Sequence, residues 1–333
     1  MGTAAQHLPR YGFPNAYPGA TAEFAKDTRF DSSGNVIGGF GVENVITNDS
    51  HSSYHALQTS LSGTVGHGGP GIQAGYTWSK SIDNTSLVIG GTGSTGAVAS
   101  GFSQNPLDTH AEKAVSNFDI THGFSISAAQ DLHLASAQFL DFVPKVITGG
   151  WEMLVMASIS SGAPFTVYSG IQQTGAGSNG VDRPDQIAKP HLSTARKDRA
   201  DYFGHRGGNG PDFFSIPVFQ PGGTGPNQGM FGTLGRNSFR GPAFYNYDFA
   251  FIKDTPLGHR ASGAERMGLQ FRAEFFNLFN IVNMGLPANT LGVSTNMTGD
   301  VPSATISRTN GFGQISKTAG TSRQIQFSLK LIY

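Results

Sequence analysis

The clearest periodicity closes the chain. Ile325, Phe327, Leu329, Leu331 and Tyr333 alternate with Gln324, Gln326, Ser328 and Lys330, and only Ile332 breaks the polar series. A strand turns successive side chains to opposite faces, so this segment reads as a strand with one apolar and one polar side. The pattern recurs upstream, where Met267, Leu269, Phe271, Ala273, Phe275 and Phe279 oppose Gln270, Arg272 and Glu274. Before it, Tyr245, Tyr247, Phe249 and Phe251 oppose Asn246, Asp248 and Ala250, and Thr255-Pro256-Leu257-Gly258 reads as the start of a turn-rich connection. The two segments form a predicted hairpin.

Earlier segments repeat the arrangement. Leu57, Thr59, Leu61 and Val65 alternate with Gln58, Ser60, Ser62 and Thr64; after Gly68-Gly69-Pro70-Gly71, Ile72, Ala74, Tyr76 and Trp78 alternate with Gln73, Thr77 and Ser79. Phe118, Ile120, Phe124 and Ile126 alternate with Asp119, Thr121, Ser125 and Ser127, and Trp151, Met153, Val155, Ala157 and Ile159 mark the next strand. Together these patterns predict about nine or ten strands. Two long stretches rich in Gly, Ser and Asn, residues 86–109 and 169–229, show little periodicity and read as loops. No segment with helical period competes.

Composition then separates the architectures that alternation allows. Only 13% of the residues are charged, against about 25% in an ordinary soluble domain. The 22 basic residues balance 22 acidic ones, so no net field favours nucleic acid. The absence of Cys excludes disulfides, thiolate metal sites and a Cys nucleophile. The first ten residues lack the basic start and apolar run of a secretory signal, which for an exported protein suggests a fragment. The longest uncharged stretch, residues 84–107, is too rich in Gly, Ser and Thr for a spanning helix.

If the chain crosses a membrane, strands must do it, and a sheet crosses only as a closed barrel, because every backbone polar group in hydrocarbon needs a partner. Tyr76, Trp78, Trp151, Tyr245, Tyr247 and Tyr333 suit interfacial girdles. A soluble β-sandwich also alternates, with its apolar face inward. The polar faces carry mainly Gln, Ser and Thr rather than Lys and Glu, which favours a wet barrel interior over a soluble exterior. The expected fold is thus all-β: a partial antiparallel transmembrane barrel with long extracellular loops.

Six segments in order also resemble the Oar-like branch of TonB-dependent outer-membrane receptors. They are Ser53-Tyr54-His55-Ala56-Leu57-Gln58, Tyr76-Thr77-Trp78-Ser79-Lys80-Ser81-Ile82-Asp83, Gly162-Ala163-Pro164-Phe165-Thr166-Val167, Leu234-Gly235-Arg236-Asn237-Ser238-Phe239-Arg240-Gly241-Pro242, Gln270-Phe271-Arg272-Ala273-Glu274-Phe275-Phe276-Asn277-Leu278-Phe279-Asn280, and Arg323-Gln324-Ile325-Gln326-Phe327-Ser328-Leu329-Lys330. The resemblance implies that residues 53–333 are the C-terminal strands of a barrel of about 22 strands, with 1–52 an irregular N-terminal segment holding a loop and a possible first strand. It implies a signal, a regulatory-like β-domain and a plug with a TonB box outside this sequence. Tyr333, with Phe327, Leu329 and Leu331, is similar to the C-terminal signal read by the barrel-assembly machinery.

Asp248, Arg272 and Glu274 share the expected lumen side, where charges brace a wall more often than they carry chemistry. His51 and His55 lie four apart in an extended segment, about 13 Å, too far to share a metal. Gly90-Gly91-Thr92-Gly93-Ser94-Thr95-Gly96 lacks the Lys-Ser/Thr ending of a phosphate loop, and Asp31-Ser32-Ser33-Gly34-Asn35 lacks the distal Glu of a calcium loop. Arg236 and Arg240 read as turn-ordering cations in preference to phosphate or lipopolysaccharide anchors. No catalytic, cofactor or metal site is expected. The expected function is energised solute uptake by the intact receptor, with outer-membrane lipid, the assembly machinery, TonB acting through the plug and an unidentified solute as partners. The alternative is a self-contained small barrel or adhesin-like surface protein.

Overall fold

A computed structural model describes residues 29–30, 36–38, 50–86, 103–105, 108–137, 142–171, 182–190, 192, 199, 202–203, 213–216, 231–259, 265–298, 301–307 and 311–333. Seven long strands make its main sheet: β1 (Ser52–Thr64), β2 (Gly71–Asp83), β3 (His122–Leu132), β4 (Trp151–Ser160), β5 (Phe244–His259), β6 (Glu265–Phe276) and β7 (Gln324–Ile332). They pair antiparallel in chain order, an up-and-down meander, and a two-residue strand, Ala114–Val115, adds to the end of β2. Among the described residues seven long strands form this sheet, and short pairs at Arg29–Phe30 with Val36–Gly38 and Gly292–Thr298 with Val301–Ser307 lie off it. Among the described residues no helix is long and apolar enough to cross a membrane.

The register places a continuous apolar face across all seven strands. Leu57 faces Trp78, Tyr76 faces Phe124, Ile126 faces Ala157, Val155 faces Phe249, Phe249 faces Phe275, and Phe271 faces Leu329. The other face carries Gln58, Thr77, Ser125, Ser158, Asn246, Glu274 and Gln326. One concavity of ≈ 520 Å³ on the polar face is lined from Thr64 of β1 to Glu274 and Phe276 of β6, and another of ≈ 730 Å³ lies on the same face. On a flat sheet those strands would stand about 24 Å apart, at about 4.8 Å per strand. The sheet is therefore curled, with the polar face inside.

The connections alternate in length. Residues 65–70, 133–150 and 260–264 join strands at one end, and residues 84–121, 161–243 and 277–323 at the other. In the first turn Val65 N–H donates to the Pro70 carbonyl (3.0 Å), Gly66 and Gly68 adopt φ of 68° and 72°, and a Cβ at Gly69 would lie 1.9 Å from the Val65 carbonyl oxygen. Only glycine fits that turn.

Two sequence expectations are corrected. Thr255-Pro256-Leu257-Gly258 continues β5 to His259, with bulges at Pro256/Gly258 and Gly258/His259, because β5 has by then left β4 and pairs with β6 alone, where a proline is tolerated. Phe118 and Ile120 precede β3 in a turn where Asp119 N–H donates to the Ser116 carbonyl (3.0 Å), so their alternation with Asp119 is not that of a strand. Residues 31–35 and 90–96 lie outside the described residues, as does much of 169–229.

The edges are open. Among the described residues β1 pairs only with β2 and β7 only with β6, and every residue of β1 is exposed. Both strands run from the long-loop end to the short-turn end, six antiparallel steps apart, so joining them directly would make a parallel seam.

The buried core lies beyond the sheet, among the long connections. Phe165, Val167, Tyr202, Phe203, Phe213, Phe214, Ile216, Leu234, Phe239, Leu291, Phe312 and Ile315 form one cluster capping the long-loop end.

Candidate functional site

The inner wall is the first candidate. Arg272 and Glu274 sit two apart on β6 and face inward, with Arg272 Nη1 3.9 Å from Glu274 Oε1. Asp248, on the same face of β5, does not join them. It accepts from Asn246 Nδ2 (2.7 Å) and from the Asn277 N–H (2.9 Å), which ties β5 to the end of β6. There Asn277 adopts φ 51°, its Oδ1 accepts from Ile281 N–H, and its Nδ2 donates to the Ile281 and Thr321 carbonyls. Asn283 likewise clasps both backbone groups of Tyr245. The Phe276-Asn277-Leu278-Phe279-Asn280 run is thus the device by which a strand leaves the wall. The remaining inner surface is mainly Ser, Thr, Gln and Gly, hydrogen-bonding groups suited to water and polar solutes.

The cap is the second candidate, held by three ion pairs that cross between connections, two of them buried and the third, Arg240 with Asp119, partly exposed at its arginine. Arg183 forms a bidentate pair with Glu112 (2.8 and 3.0 Å). Arg236 pairs with Asp83 at the end of β2 and donates to the Asp83 carbonyl (2.8 Å), Ser86 Oγ (2.7 Å) and the Glu112 carbonyl (3.1 Å). Arg240 pairs with Asp119 and donates to the Asp119 and Gly162 carbonyls (3.3 and 3.2 Å). Asp119 also accepts from the Ser81 N–H (2.6 Å). Arg236 and Arg240 therefore order carbonyls, and those of a different connection as well as their own. Close approach matters too: a Cβ at Gly162 would lie 1.8 Å from the Gly241 carbonyl oxygen.

Aromatic packing joins the β6–β7 connection to the β4–β5 connection. Phe203 stacks on Phe312 (4.8 Å between ring centres) and meets Phe239 and Phe214 edge-on at 5.3 and 5.9 Å. Tyr202 donates to the Arg240 carbonyl (2.8 Å), and burial pushes its phenol up to about 12. The folded cap thus holds this proton more tightly than an unfolded chain, whose tyrosines ionise near 10. Its contribution is complete below pH 10 and is lost as pH rises toward 12. The cap is expected to loosen over that window, and Tyr202→Phe to flatten the dependence, as measured by tyrosinate absorbance alongside proteolysis of the long connections.

The third candidate is the outer face. Tyr76, Trp78, Tyr245 and Tyr247 lie toward its long-loop end, and Trp151 and Tyr333 at its short-turn end. Trp151 to the level of Tyr245, which faces Ile159, spans eight residues along β4, about 27 Å at about 3.4 Å per residue. At the usual strand tilt of about 35–45° that projects to about 19–22 Å, within an apolar band about 25 Å tall. Phe327, Leu329 and Leu331 of β7 share this face, each more than half exposed, and Tyr333 is 96% exposed. His55 lies within β1, and His51 just ahead of it exchanges backbone and side-chain hydrogen bonds with Asn84.

Lipid exposure of this face makes a direct expectation. Val155→Arg, at mid-strand in β4, should cost about 2–4 kcal/mol and lower the amount of assembled protein in the outer membrane. Ser158→Arg on the inner face should be nearly neutral by the same fractionation. Equal losses would place both faces in one environment.

Sequence reasoning singled out Arg236 and Arg240 but missed Asp83, Glu112, Asp119 and Arg183. Their partners lie 71 to 153 residues away, beyond any local pattern. Compared with known families, residues 1–326 match the family model described as an outer membrane beta barrel domain. No curated protein and no solved structure matches the chain.

Proposed function

The chain belongs to the outer membrane β-barrel domain family and resides in the outer membrane, and from that premise we propose that it serves as part of the wall and surface cap of a TonB-dependent, Oar-like transporter. The observation that carries this reading is the open meander. An even-stranded antiparallel wall needs an odd number of further strands between β7 and β1, and a larger barrel supplies them. In such barrels short turns face the periplasm and long loops the exterior, which puts the ion-paired cap at the cell surface and Tyr333 at the periplasmic rim.

In this reading the cap meets an external solute, the Ser/Thr/Gln wall provides a wet path, and TonB acts on a plug carried elsewhere in the intact receptor. The chain itself performs no catalysis and holds no cofactor. Arg272, Glu274 and Asp248 brace the wall, and the C-terminal residues Phe327, Leu329, Leu331 and Tyr333 are read by the assembly machinery. The resemblance of the six ordered segments supports the TonB-dependent assignment.

The test is an immunoblot of native outer membranes with antibody to the cap, after cross-linking to TonB. A polypeptide well above 35.1 kDa that cross-links to TonB is the expected result. A 35.1 kDa species that never cross-links would favour the self-contained barrel or adhesin-like protein.

A further inference from the structure

We propose that the segment 142–150, at the periplasmic rim between β3 and β4, is a lipid-embedded foot that inserts Phe142, Val146 and Ile147 into the acyl-chain boundary of the adjoining phospholipid leaflet. The segment contains a single helical turn, Lys145–Thr148, begun after Pro144 and closed by Gly149 N–H donating to the Lys145 carbonyl (2.8 Å). Phe142 is 84% exposed, Val146 63% and Ile147 57%, whereas Thr148 is buried. Lys145 apart, the turn shows its apolar side chains outward and buries its polar Thr148, the reverse of a soluble loop.

What decides the occupant is the side of the wall on which the segment is fastened. Trp151 and Lys253 face each other on the outer, apolar face of β4 and β5. Trp151 Nε1 donates to the Ile147 carbonyl (2.8 Å), and Lys253 Nζ donates to the Gly149 carbonyl while lying 5.8 Å from the Trp151 ring centre. Asp254 N–H donates to the Gly150 carbonyl (2.8 Å), and Gly150, at φ 70°, leaves no room for a Cβ, which would lie 2.2 Å from the Asp254 carbonyl oxygen. Both side-chain anchors reach from the lipid-facing side, so the exposed apolar residues continue the surface that already meets lipid. Lys145, exposed on the same turn, can lay its stem along the chains and its ammonium among headgroups. A phospholipid monolayer fits this surface. The inference depends on the membrane placement of the sheet and not on transport or TonB.

The cysteine-free chain makes the test direct. Full-length Val146→Cys carrying a nitroxide is reconstituted into phosphatidylethanolamine/phosphatidylglycerol vesicles, with Val155→Cys as the lipid-facing reference and His67→Cys, in the β1–β2 turn, as the aqueous one. Collisions with oxygen relative to a water-soluble nickel chelate should be severalfold higher at position 146 than at 67, approaching 155. A ratio equal to that at 67 would overturn the proposal by placing the foot in water. Shielding from both reagents would overturn it in favour of a protein partner covering the turn. If Val146→Cys fails to assemble, Ile147→Cys reads the same contact.

Discussion

Replacing Arg236 by methionine is expected to destabilise the cap by about 3–5 kcal/mol while leaving the wall assembled. The Arg236 side chain is 7% exposed and that of its partner Asp83 3% exposed, so removing the cation leaves a buried carboxylate without its countercharge. Methionine keeps most of the stem and isolates the loss of charge and of four hydrogen-bonded contacts. Hydrogen exchange should rise in residues 108–121 and 231–240 and stay unchanged in β4 and β5. Adding Asp83→Leu to Arg236→Met should recover part of the loss, since an apolar pair needs no compensation. If the double variant were less stable than the single one by the full cost of a second independent site, the pair would not be a coupled unit.

Phe203→Ala carries a comparable expected loss, about 3–5 kcal/mol, by a different route. Phe203 is 1% exposed and touches five other rings, of which Phe312 belongs to the β6–β7 connection and the rest to β4–β5. Removing its ring opens a void where two connections meet, whereas Arg236 ties β4–β5 to β2–β3. The two variants should therefore expose different segments to protease: residues 311–316 for Phe203→Ala and residues 108–121 for Arg236→Met. Phe203→Leu, which refills part of the void, should fall between Phe203→Ala and the unsubstituted protein.

These expectations rest on the part of the molecule least visible in its sequence. The wall was legible because water on one side and lipid on the other impose a period of two: the faces read from Phe271, Ala273 and Phe275 against Arg272 and Glu274 are those the strand register gives. Chain-order pairing followed from short turns such as the one at Gly69. The cap was not legible. Phe165, Phe203, Phe214, Phe239 and Phe312 recur at no period, and their meeting is set by tertiary packing alone. Asp119 looked like the polar member of an alternating strand, yet it and Asp83 are buried anchors for distant arginines. Pro256 and Gly258 suggested a turn from composition, and the bulged end of β5 absorbed them instead. Arg236 and Arg240 stood out by their setting, but only folding revealed which carboxylates they meet.

The most direct measurement uses the only two tryptophans, Trp78 and Trp151, which sit on the same apolar face at opposite ends of the sheet. Each is read alone, through Trp151→Phe and Trp78→Phe, after reconstitution with phospholipids brominated near the glycerol end or near the middle of the acyl chain. Both tryptophans should be quenched more strongly by the shallow bromines than by the deep ones, and only weakly by aqueous acrylamide. Full quenching of both by acrylamide, with no effect of either brominated lipid, would contradict a lipid-facing wall bounded by two aromatic girdles.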